Sequence, residues 1–109
     1  MLTATEAAYE KLDQAVYNLA TGAGEIRDRL LFAGWEVVLI QREGLPEWAR
    51  SEVDSIALAL TGGATGTAVN GAMETTLRGM KRTVGVRIAK QICQLRSKVL
   101  RSLDPEPHL

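Results

Sequence analysis

NGAMETTLRGMKRTVGVRIAKQICQLRSKVLRSL, residues 70–103, is the stretch on which the fold turns. Met73, Leu77, Met80, Val84, Ile88, Ile92, Leu95, Val99 and Leu103 recur at steps of three or four, the spacing that puts residues on one face of an α-helix. The spacing predicts one helix over about 70–103, bent at Gly79 or Gly85 if anywhere. A second line accompanies the first: Gly79, Val86, Cys93 and Leu100 are seven apart and lie about a third to a half turn away. A helix apolar on two sides packs on two sides. A chain of 109 residues can cover little of such a helix by itself, so Val86, Cys93 and Leu100 are candidate interface residues and a homo-oligomer is expected.

Three more helices precede it. Thr3 and Glu6 have the spacing of a capping box, and Ala8, Leu12, Ala15, Val16 and Leu19 form a stripe, predicting a helix over 4–20 that stops near Gly22. Residues 24–42 are apolar almost all round. Ile26, Leu30, Ala33, Val37 and Ile40 lie on one stripe, with Leu31, Phe32, Trp35, Val38 and Leu39 off it, which predicts a helix buried on several sides. Within it, Trp35–Ile40 also reads as a short strand, which would need a partner strand from a second chain. Pro46 suits the start of a third helix, 46–61, whose stripe is Ala49, Val53, Ile56, Ala57 and Leu60 and whose stop is Gly62. The expected fold class is therefore all-α: a four-helix bundle that buries the second helix and uses the long C-terminal helix as its spine. Residues 1–103 form one domain, and residues 104–109, with Pro105, Pro107 and the single histidine His108, form a flexible tail.

Composition narrows the class. Hydrophobic residues make up 46% and charged residues 24%, which favours a globular chain over a disordered one. No apolar run approaches the roughly 20 residues of a membrane span, so no membrane association is expected. The first residues lack a basic start and an apolar stretch, and no secretory signal is read there. One cysteine, Cys93, fits a reducing compartment, and a cytoplasmic location is expected. The formal charge is zero but unevenly spread: residues 1–71 carry ten acids against five bases, and residues 72–109 eight bases against three acids.

Four sites invite a chemical reading. Thr61-Gly62-Gly63-Ala64-Thr65-Gly66, after Ile56–Leu60, resembles the strand-and-glycine turn of short-chain Rossmann dehydrogenases, which implies a pyrophosphate at a helix N-terminus. Val69 stands where that pattern has its third glycine, no acid follows at ribose distance, and no Walker lysine is present. The linker is read as a helix-to-helix connection. Glu10/Asp13 and Glu25/Asp28 pair acids one turn apart; Glu25-Ile-Arg-Asp28 is similar to the ExxD of all-α nucleoside triphosphate pyrophosphohydrolases of the MazG kind, which implies magnesium-dependent hydrolysis. Glu10 and Asp13 point away from the Ala8/Leu12 stripe, and no metal or other cofactor is expected. Glu36, in the most apolar segment, is expected to reach solvent or to pair with an arginine such as Arg29 or Arg42. Cys93 and His108 lie too far apart in sequence to be read as a nucleophile pair.

Arg78, Lys81, Arg82, Arg87 and Lys90 are candidate nucleic-acid contacts through phosphate neutralisation, although they scatter around the helix with no aromatic residue among them. Trp35 and Trp48 are read as core anchors or as a partner's landing site. The sequence thus favours a non-catalytic protein acting through protein–protein contact, with itself as first partner. A nucleic-acid-binding regulator is the alternative, and a magnesium-dependent hydrolase the second alternative.

Overall fold

A computed structural model of the chain describes residues 1–103; the expected tail, 104–109 with His108, lies outside the described residues. Five α-helices follow one another: α1 (Ala4–Thr21), α2 (Ile26–Val38), α3 (Glu47–Thr61), α4 (Val69–Gly79) and α5 (Arg82–Leu103), with one 3₁₀ turn at Gly66–Ala68. The all-α class holds, and no strand occurs among the described residues. Trp35–Ile40 is not a strand, because Trp35–Val38 complete the last turn of α2.

Each boundary has a local cause. Thr3 Oγ1 accepts from the Glu6 amide at 3.1 Å, and Glu6 Oε1 accepts from the Thr3 amide at 2.9 Å, closing the expected capping box. α2 begins with a second box, in which the Glu25 amide donates to Asp28 Oδ2 at 3.1 Å and Glu25 Oε1 accepts from the Arg27 amide at 3.2 Å. Pro46 stands just before the first residue of α3, its carbonyl accepting from the amides of Ala49 and Arg50. Gly62, at φ 65°, ends α3 in the left-handed conformation that glycine adopts without penalty. Ile56–Leu60 lies inside α3, so the glycine turn after it joins two helices and is not preceded by a strand.

Arginines from outside each helix satisfy the C-termini of α1 and α2. Arg29 Nη1 donates to the Leu19 carbonyl of α1 at 2.9 Å, and Arg42 Nη1 to the Val38 carbonyl of α2 at 2.8 Å. Neither α1 nor α2 carries a basic residue in its own last turn, so these guanidinium groups supply the charge and the donors that the exposed carbonyls lack. Arg42 reaching back explains why α2 stops at Val38 rather than continuing to 42.

The four-helix expectation needs correction at residues 70–103. The helix is broken between Gly79 and Arg82, with Met80 extended at φ −79° and ψ 140°, and α4 and α5 are separate elements. Arg27 Nη1 donates to the Met80 carbonyl at 2.9 Å, a bond that a continuous helix would replace. α5 is also not the sole spine: α2 packs on all four other helices, while α5 packs on α1, α2 and α3. Leu12, Leu30, Leu60, Met73, Ile92 and Leu95 are fully buried in the shared core. Burial of α2 is nevertheless one-sided. Leu30, Ala33, Gly34 and Val37 are buried, whereas Phe32 and Leu39 are exposed. Trp35 is half-buried against the core, and Trp48 is 41% exposed and so is not a core anchor.

Candidate functional site

The buried face of α5 is Gly85, Ile88, Ile92, Leu95 and Val99. Its second apolar line is left outside: Val86 is 37% exposed, Leu100 is 43% exposed, and Cys93 is an exposed free thiol. Seven-residue spacing places these three about 10 Å apart in succession along one side of the helix. The structure therefore brings the three candidate interface residues onto one surface line, continuous with Ser97 and Arg101 in a shallow hollow beside Cys93.

The cations of α5 divide into two groups. Arg96 Nε donates to Asp13 Oδ1 of α1 at 2.8 Å, and its guanidinium lies 5.4 Å from the centre of the Tyr9 ring, whose hydroxyl it also contacts at 3.1 Å. The hydrogen bond to Asp13 raises the Arg96 pKa further above its already high ordinary value. Lys98 Nζ bonds Glu52 Oε1 of α3 at 2.5 Å. These two pairs clamp α5 between its acidic neighbours. Arg78, Lys81, Arg82, Arg87 and Lys90 are all exposed, and none forms an ion pair among the described residues. Arg78, Lys81 and Arg82 cluster at the break, while Arg87 and Lys90 lie farther along α5. Arg82, Lys90 and Arg87 spread over about 140° of its circumference at ~100° per residue.

The carboxylates are engaged elsewhere. Glu25 and Asp28 cap α2, and Arg27 Nε donates to Glu25 Oε1 at 2.6 Å, which holds the Glu25 carboxyl below the usual glutamate range. The bond from the Thr3 amide lowers the Glu6 carboxyl in the same way. Asp13 serves Arg96, and Glu10 is exposed on α1. Among the described residues no group of three or more His, Cys, Asp or Glu side chains is placed to hold a metal ion. Glu36 pairs with Lys11 of α1, at 3.7 Å, rather than with Arg29 or Arg42 as expected. Those two arginines cap helix ends instead.

Sequence reasoning missed the groove at the break. A hollow of about 470 Å³ is lined by Glu25, Arg27, Asp28, Leu31, Glu74, Leu77 and Arg78, between the start of α2 and the face of α4. Its organising residue is Arg27, one of five bases in the acidic first half of the chain, and no spacing rule links it to Met80, 53 residues away. Among the described residues no helix is long and apolar enough to cross a membrane. No protein-family model, curated protein or solved structure matches the chain.

Proposed function

We propose that this protein is a non-catalytic interaction module of the cytoplasm that works by self-association through the outer line of α5. The observation that carries the reading is the exposure of Val86, Cys93 and Leu100 along one side of the longest helix, beside a buried face that is already satisfied. Burial of such residues against an equal surface is favourable at about 25 cal/mol per Å² of apolar area. A twofold antiparallel pairing sets Cys93 against Cys93 and Val86 against Leu100 of the second copy, as an isologous contact requires. Like charges on two α5 helices oppose this pairing. Exposed Glu10 of α1 offsets it, Asp13 being already paired with Arg96 and Glu6 with the Thr3 amide. The acidic helix of one copy can then face the basic helix of the other, and charge sets the register.

The test uses the native thiol. Mild oxidation of the wild-type protein gives a covalent dimer through Cys93, and the same treatment of Leu100→Asp gives monomer. Equal yields from the two proteins would defeat this arrangement.

A second reading rests on the five exposed cations that form no ion pair among the described residues: Arg78, Lys81, Arg82, Arg87 and Lys90 serve as a phosphate-binding surface for nucleic acid. A labelled duplex then shifts at low salt, loses affinity as salt rises, and binds less well to Arg82→Ala and Arg87→Ala. A duplex that never shifts removes this reading and leaves self-association untouched.

A further inference from the structure

The break between α4 and α5 has no covalent cause. No proline lies within residues 69–103, no residue of the break has a positive φ, and Gly79 is itself helical. The apolar stripe crosses the break in phase, with Met73, Leu77, Met80, Val84 and Ile88 at steps of four, three, four and four. The apolar phase thus favours a continuous helix, Gly79 tolerates a break in it, and tertiary contacts decide for the break. At the break itself these are the Arg27 bond to the Met80 carbonyl, and the seating of Gly85 against Leu30 and Ile26, where an added Cβ would lie 3.4 and 3.5 Å from their side chains. α4 packs on α2 and α3, and α5 separately on α1, α2 and α3.

We infer that α4 and α5 interconvert between the broken form and one continuous helix, and that the continuous form is completed by a second copy of this chain. In it each copy places its α5 in the groove between α1, α2 and α3 of the other. Every contact that α5 makes within one chain is then remade between chains, Arg96 to Asp13 and Lys98 to Glu52 included, so the exchange conserves the core and alters only the hinge. The bond from Arg27 to Met80 is the cost of opening, and the backbone bonds restored across residues 79–82 offset it. Each hinge carries Arg78, Lys81 and Arg82, so bringing two hinges together sets like charges against each other, and salt favours the exchange by screening them. This exchange is independent of the outer line of α5, which stays exposed in either form.

Lys81 is the position that separates the two states. Met80 already has the extended conformation that a following proline demands, and Lys81 directly precedes the first residue of α5. Its amide donates to no backbone carbonyl among the described residues. With no positive φ at Lys81, proline is compatible with the broken form, and it is excluded from the interior of a continuous helix. The experiment is run in the Leu100→Asp background, so that surface pairing is absent. Each protein is concentrated, annealed slowly at high salt, diluted, and weighed by light scattering with its melting temperature recorded. The expected result is a dimer fraction that decays slowly after dilution, rises several-fold in Arg27→Ala, persists in Lys81→Ala and vanishes in Lys81→Pro with no loss of melting temperature. Monomer throughout, a dimer that survives Lys81→Pro, or a Lys81→Pro protein with a lowered melting temperature overturns the inference. Surface pairing is judged by Leu100→Asp in the otherwise wild-type chain, so either claim can fail without the other.

Discussion

Gly34 seats α2 directly against side chains of α3 and α4. A Cβ added there would stand 3.0 Å from Met73 Sδ and 3.1 Å from Leu60 Cδ1, both on fully buried residues. The two γ-carbons of a valine would crowd both side chains further. Gly34→Val should destabilise the protein by about 1–3 kcal/mol through overpacking, read as a lower urea midpoint with an unchanged slope. An unshifted midpoint would show that the three helices are more loosely packed than this. At Glu25 the charge on a single carboxyl ties α2 to the break. Its carboxyl loses its proton more readily folded than unfolded, because Arg27 bonds the anion. The stabilisation is therefore complete above the ordinary glutamate value of about 4.3 and is lost as pH falls through the lower folded-state value. Glu25→Gln should melt below wild type at neutral pH, and the gap should close in acid; a gap independent of pH would mean the charge is not what matters.

At the scale of elements, legibility in the sequence followed how local the cause was. α1 and α3 were readable because Thr3, Glu6, Pro46 and Gly62 act within one turn of themselves. The core stripes were readable for the same reason: Leu12, Leu30, Val53, Ile92 and Leu95 all lie on predicted lines and all are buried. The break at Met80 was legible only as a bend at Gly79 or Gly85, since the apolar period runs through it undisturbed and the bond that holds it open comes from a guanidinium of another helix. α2 was overextended for a related reason, Arg42 turning back on Val38 in place of continuing the helix. Phe32 and Leu39 show the other limit of such reading. An all-round apolar helix needs neighbours on every side only if the chain has enough of them, and here the described neighbours leave that side of α2 exposed.

Across the whole molecule, the uneven charge of the sequence becomes a spatial arrangement. The basic α5 lies between the acidic α1 and α3, and one pair on each side, Arg96 with Asp13 and Lys98 with Glu52, joins the oppositely charged parts of the chain. Sequence showed the imbalance without showing whether the acids sat beside the basic helix or on another chain. Arg96 and Lys98 are matched within the chain, and the exposed line of Val86, Cys93 and Leu100 lies on the same helix. That line stays outside the core because its residues sit about a third of a turn or more from the buried stripe. The measurement that bears most directly on its role is the solution mass of the wild-type and Leu100→Asp proteins, by light scattering at micromolar concentration in low and in high salt. For protein never concentrated and annealed at high salt, self-association through the outer line of α5 predicts a wild-type dimer at both salts and a Leu100→Asp monomer at both. Equal masses for the two proteins would contradict it.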